Sequence, residues 1–190
     1  MAFDLPELHD HALTATRRYV AGVGANQWQG PSPCEGWDVR ELVNHIVSGN
    51  FWAGALARGQ TIEDVGDRLD GDILGDDAAA AYDESARAAS EAFHAPGAMQ
   101  APCAVSYGPV PGEVYLGHRF IDVVVHGWDV AKATGQDTTM PDGLAAAAYE
   151  VVHGAFTDEQ RKGVFKPELE VGRHASPQEK LLAYTGRDPG

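Results

Sequence analysis

Residues 38–41 read Asp-Val-Arg-Glu, the clearest helix start in the chain. Asp38 and Glu41 stand three residues apart, the spacing of a capping box, in which each side chain satisfies a backbone N–H left unpaired by the first turn. Trp37, just outside, is placed to pack on Leu42 as a hydrophobic staple. The helix then runs through VRELVNHIVSGNFWAGALARG and ends near Gly59. Other segments carry the same helical period. One runs from about Pro6 to Val23, with proline in its first turn and Leu8, Ala12, Ala15 and Tyr19 on one face. A second, DDAAAAYDESARAASEAFHA, stops at Pro96-Gly97. A third, EVYLGHRFIDVVVHGWDVAKATG, starts near Gly112 and reaches a glycine C-cap at Gly135. A fourth, AAAAYEVVHGAF, follows Pro141, and SPQEKLLAYTG holds a short helical stretch.

The connections are polar. GANQWQGPSPCEGW is a Gly/Pro loop, and residues 60–75 are acidic and Gly-rich. Residues 98–113 read as an extended or irregular connection, since their prolines forbid helix. Strand signals are otherwise scarce. The expected fold class is all-α, a four-helix bundle with crossover connections and a short C-terminal extension. With 190 residues and 44% hydrophobic content, one domain is expected: a bundle over 1–156, with 157–190 packed on it.

Charge narrows the function. Lys and Arg number 14 against 28 Asp and Glu, a formal net charge of −14. Nucleic acid and anionic membranes need positive patches, so neither is an expected partner. The two cysteines, Cys34 and Cys103, form no CxxC, which argues against a disulfide framework or thiolate zinc knuckle. No basic region precedes an apolar core at the N-terminus, and no apolar run approaches the ~20 residues of a membrane span. A cytoplasmic protein is the expectation, and a homodimer is an assembly the sequence leaves open.

The run from Gly112 to Gly135 carries a polar stripe among Ile121, Val124, Val125 and Val130. Asp122 and His126, four apart, share a helix face with His118 and Asp129. Such a pair can bring a carboxylate oxygen and an imidazole nitrogen to one cation. A third ligand must come from a facing helix. His45, beside the apolar stripe marked by Leu42 and Ile46, is the best candidate. A His/Asp/His set suits zinc, with nickel the second choice, and leaves a coordination position open. The same residues have plainer readings. Asp122 and His126 could form a hydrogen-bonded surface pair, and Arg119, three residues before Asp122, could pair with it structurally.

Other features carry less. GVGAN lacks the third glycine and preceding strand of a dinucleotide fingerprint. DRLDGDILGDD lacks EF-hand spacing and reads as a solvated acidic loop. Cys34, near a helix start, could be a reactive thiol, but a small packed cysteine is the plainer reading. His9, His11, His94, His153 and His174 show no partner spacing and read as exposed or structural.

PSPCEGWDVRELVNHIVSGN resembles a region of the mycothiol-dependent maleylpyruvate isomerase N-terminal domains, within the wider DinB-like metal-binding bundles. HRFIDVVVHGWDVAKATG is similar to that family's second motif: an arginine, an acidic residue, a histidine four later, then tryptophan-aspartate. The closing RHASPQEKLLAYTGRDPG resembles the end of a compact subfamily described only as metal-binding. The resemblance implies a DinB-like four-helix bundle in which His45, Asp122 and His126 are the metal ligands. It also implies mycothiol as thiol co-substrate, and casts Asp129 outside the coordinating set, beside Trp128. Asp122 departs from the isomerase pattern, which has glutamate there. The isomerase's C-terminal domain is not expected in this sequence.

Two classes of function follow. In one, the ion activates a small thiol that attacks an electrophile, with Arg119 or Asp129 orienting the site. In the other, the metal is structural or regulatory, without turnover. A pocket beside the metal lined by Trp37, Trp52, Trp128 and Tyr107 would favour the first.

Overall fold

The computed structural model describes residues 4–141 and 143–189. Four helices form the bundle, and three of them start at an aspartate cap. Helix α1 (Leu5–Ala21) is capped by Asp4, whose carboxylate accepts from the Glu7 N–H. Helix α2 (Val39–Ala57) begins in the expected capping box, with the Asp38 and Glu41 bonds both present. A single turn, α3 (Ile62–Val65), interrupts the acidic segment. Helix α4 (Ala78–Phe93) is capped by Asp77. Helix α5 (Gly112–Thr134) ends on Gly135, whose φ of 69° is the left-handed conformation open to glycine.

Packing is cyclic rather than sequential. Helix α1 lies against α4 and α5, and α2 lies against the same two, so the first two long helices sit on opposite corners. The long connection between them is thus a crossover, as the Gly/Pro loop at 22–37 requires. Leu42, Val43, Ile46 and Val47 of α2 meet Phe120, Val123, Val124 and Val125 of α5 in one buried cluster with Ala12 and Leu13. Helix α6 (Leu144–Ala155) packs on α5, and α8 (Pro177–Tyr184) packs on α6. The Ser176 side chain caps α8 and Pro177 opens it. No described helix is long and apolar enough to cross a membrane.

Two elements differ from expectation. The connection at 98–113 contains an antiparallel hairpin, β1 (Pro102–Val105) and β2 (Gly108–Pro111). Its prolines fit because they fall on alternate register pairs, Pro102 opposite Pro111 and Pro109 opposite Ala104; the Gly112 N–H bond to the Ala101 carbonyl just beyond makes these the pairs that exchange no N–H bonds. The turn is Ser106-Tyr107, and Gly108 takes a φ of 111°. The polar stretch after Phe156 also forms a helix, α7 (Asp158–Val164), set by a Thr157/Gln160 capping box.

Helices α1 and α5 approach closely at Gly127. A Cβ there would collide with the Thr16 hydroxyl, which donates to the Val123 carbonyl at 3.1 Å. A Gly127→Ala substitution should therefore destabilise the bundle by about 1–3 kcal/mol despite alanine's better helix propensity. Urea denaturation checks this; an unchanged or raised midpoint would contradict the close approach.

Candidate metal centre

Helix α2 packs beside α5, and this brings His45 to Asp122 and His126. His45 Nε2 lies 3.2 Å from Asp122 Oδ1, and His126 Nδ1 lies 3.3 Å from the same oxygen. Candidate ligand atoms of all three residues fall within 4.8 Å of one another. The imidazole centroids of His45 and His126 are 4.8 Å apart. The structure thus joins the residues that the sequence placed on two separate helices.

Asp122 is gripped from its other side. Arg119 Nη1 stands 3.0 Å from Asp122 Oδ2 and Arg119 Nη2 is 3.4 Å from Asn50 Oδ1. Asn50 in turn donates to the Ser85 hydroxyl at 3.3 Å. Gly49 makes room for the guanidinium: a Cβ there would lie 2.5 Å from its nitrogens. Sequence reasoning passed over Gly49 and Asn50. A glycine inside a helix costs about 1 kcal/mol relative to alanine, so Gly49 was itself a signal that something packs against the backbone.

His126 also belongs to a second group, Cys34–His126–Asp129, whose candidate ligand atoms likewise lie within 4.8 Å of one another. Cys34 Sγ donates to Asp129 Oδ2 at 3.4 Å. Asp129 is fully buried and already paired: Arg187 Nε and Nη2 reach its two oxygens at 3.2 and 2.7 Å. Both Asp129 oxygens are taken by Arg187, whereas Asp122 keeps Oδ1 toward the two histidines, which leaves the first triad as the better cation site. Nothing in the sequence pattern pointed to Arg187. His118 is engaged elsewhere too. The Tyr107 hydroxyl is 2.7 Å from His118 Nδ1, and the His118 ring stacks on Phe156 with centroids 4.9 Å apart.

A cavity of about 890 Å³ reaches the triad. Trp37, Trp52 and Tyr107 line it as expected, with Tyr115, Phe156, Phe165, Arg119 and Arg187. Trp128 does not; it is only 3% exposed and belongs to the core, because its position on α5 faces the packed interior. Trp37 lies with its ring centroid 4.8 Å from that of His45. The loop before α2 sets this position, folded back by Val39 N–H to Gly30 and Arg40 N–H to Trp28 bonds.

The charges at the triad reinforce each other. Burial alone would raise the Asp122 pKa, but Arg119 and His126 hold it well below the usual carboxylate range. Burial would lower His126, yet the Asp122 carboxylate outweighs that and raises it above an ordinary histidine.

An all-α bundle with two imidazoles and one carboxylate converging between facing helices defines a class: helical bundles with a candidate metal centre at the edge of a cavity. The chain belongs to the mycothiol maleylpyruvate isomerase N-terminal domain family, whose profile matches residues 9–131. Two proteins of Mycobacterium tuberculosis are similar along nearly their whole length. They are "Uncharacterized protein MT0763" of strain CDC 1551 / Oshkosh and "Uncharacterized protein Rv0738" of strain ATCC 25618 / H37Rv. Each is 37% identical over 182 residues, which cover 94% of this chain and 95% of the relative. No solved structure matches the chain.

The raised His126 pKa has a sign that can be checked in metal-free protein. Its ion pair contributes fully below the ordinary histidine pKa of ~6.5 and is lost as pH rises through the raised folded value. Chelator-treated wild type should therefore lose stability relative to His126→Gln between pH 6.5 and 9. Urea midpoints of both proteins across that range measure the difference; a constant gap would refute the pairing.

Proposed function

We propose that this protein is a metal-assisted thiol transferase or isomerase. In this reading His45, Asp122 and His126 hold one divalent cation, zinc in first place and nickel second. A small thiol of the mycothiol type is the co-substrate, and an electrophile is its partner. The observation that carries this reading is the convergence of the three donors at the wall of the cavity.

The residues fit a cation on their own chemistry. Two imidazoles and a carboxylate form a nitrogen/oxygen set suited to zinc or nickel. Asp122 Oδ1 is the oxygen turned to both imidazoles, 3.2 Å from His45 Nε2 and 3.3 Å from His126 Nδ1, while Oδ2 faces Arg119, so one carboxylate oxygen and two ring nitrogens meet at one point. When bound, the ion would supply the Lewis acidity that lowers a thiol pKa and makes thiolate available near neutral pH.

The protein's own side chains do the positioning. Arg119, seated on Gly49 and Asn50, holds one Asp122 oxygen and so turns the other toward the two histidines. Trp37 restrains the His45 ring from the loop side. The aromatic lining limits water around the reacting groups, which strengthens every charge interaction there. Among the described residues, His45, Asp122 and His126 are the donors that converge at the cavity edge, while Asp129 is bonded to Arg187 and Cys34, and His118 to Tyr107. That favours an exchangeable position over a closed structural site. The family resemblance supports mycothiol as the thiol class.

Elemental analysis of protein prepared without chelator should find close to one divalent ion per chain, and His126→Ala should lose most of that affinity. Cobalt-substituted protein titrated with a small thiol should develop a thiolate-to-metal charge-transfer band. A visible spectrum unchanged at saturating thiol, in fully loaded protein, would overturn direct thiol activation.

A further inference from the structure

Each of the four bundle helices buries a polar side chain near the Arg119–Asp122 pair: His9 from α1, Asn50 from α2, Ser85 from α4 and Arg119 itself from α5. Three of them are joined by hydrogen bonds, Arg119 to Asn50 and Asn50 to Ser85. His9 is not. It is fully buried, and neither of its ring nitrogens meets a partner among the described residues. Arg119 Nε, on the guanidinium that holds Asp122, is likewise buried and unpartnered.

Helix register brings these two orphans to one level. Helices α1 and α5 run parallel: Thr16 abuts Gly127, and Gln136, just past α5, donates to the Tyr19 carbonyl near the end of α1. About two turns back from Thr16 stands His9, and about two turns back from Gly127 stands Phe120, next to Arg119. The His9 ring meets Phe93 edge-on with centroids 6.0 Å apart, and Phe93 meets Tyr115, one turn before Arg119. Burial, and Arg119 after it, hold the His9 pKa down at about 3, so the ring is neutral near pH 7. Arg119 acts on His9 more strongly than does Asp10, its neighbour in sequence.

A buried donor left without an acceptor costs as much as its desolvation, and more when it is charged. Proteins commonly satisfy such groups with an internal water that bridges them. A water accepts from the Arg119 Nε–H through one lone pair. Toward His9 it can donate to a bare ring nitrogen or accept from a ring N–H, so either neutral tautomer is satisfied.

From this pairing of orphans we propose that a water molecule is a fixed part of the layer, bonded to Arg119 Nε and to the His9 ring, and that His9 is a positioning residue for Arg119. Through this water α1 joins the polar layer, which then spans all four helices. The guanidinium is held on three sides: by Asp122 at Nη1, by Asn50 at Nη2 and by the water at Nε. Rotation of Arg119 away from Asp122 is thereby resisted from the rear. The inference goes beyond the thiol-transfer reading and stands with or without a bound ion.

The test uses chelator-treated full-length protein. A high-resolution crystal structure should show water within ~3.2 Å of both Arg119 Nε and a His9 ring nitrogen. In solution, the Arg119 Nε–H should give a resolved NMR signal with a cross-peak to water. His9→Phe keeps an aromatic ring and removes its polar atoms. It should lower the folding equilibrium constant by about tenfold or more in urea, because the arginine loses its bridge, and it should shift or abolish the Arg119 signal. His9→Gln, which keeps a polar end, should recover part of both. A dry, unbonded His9 predicts the opposite sign, since an apolar ring there would raise the urea midpoint. A raised or unchanged midpoint in His9→Phe, an Arg119 signal unaltered in that variant, no recovery in folded His9→Gln, or no shared water in the wild-type crystal would each overturn the inference. The wild-type crystal and NMR data decide it even where His9→Phe does not fold. None of these measurements involves metal or thiol, so the elemental analysis and cobalt titration above succeed or fail independently of them.

Discussion

The contact between Arg119 and Asp122 organises the middle of this molecule. Arg119 is only 7% exposed, and a charge so enclosed is tolerable only with a partner and with hydrogen-bonding neighbours. Asp122 is the partner, Asn50 of α2 is the neighbour, and Gly49 is the gap through which the guanidinium passes. Asn50 extends the set to Ser85 of α4. One ion pair thereby ties three of the four bundle helices together at a single level. The same pair orients the carboxylate on which His45 and His126 converge, so fold and site share one support.

Much of this could be read from the residues before any coordinates. Asp38 and Glu41 announced α2 because a capping box is local chemistry, settled within one turn. Asp122 and His126 were recognisable because the helical period puts them on one face, and His45 because it lay beside an apolar stripe. The sequence was silent where the answer depends on long-range geometry. Arg187 meets Asp129 across 58 residues, and no spacing rule reaches that far. The hairpin at Pro102–Pro111 was masked by prolines, whose usual meaning is the absence of a ladder. Trp128 misled for a related reason: an aromatic residue next to a site motif looks like a wall of the pocket, but its direction on α5 turns it inward.

The division of labour between helices and connections is also clear. Helices α2 and α5 supply the triad, where small errors in position would separate the donors. The hairpin turn, the loop before α2 and the segment around α7 supply Tyr107, Trp37, Phe156 and Phe165 to the aromatic walls, to which α2 and α5 add Trp52 and Tyr115. The bundle helices thus hold the triad, and the connections complete the space in front of it.

Arg187 belongs to both sets. It borders the cavity and is also the counter-ion of a carboxylate with no solvent contact. Removing it would strand Asp129 in the interior, and an uncompensated buried charge costs about 3–5 kcal/mol. Through this one side chain the tail that follows α8 both walls the chamber and neutralises a carboxylate one helical turn from His126. The shape of the cavity and the electrostatic setting of the triad therefore share a single residue.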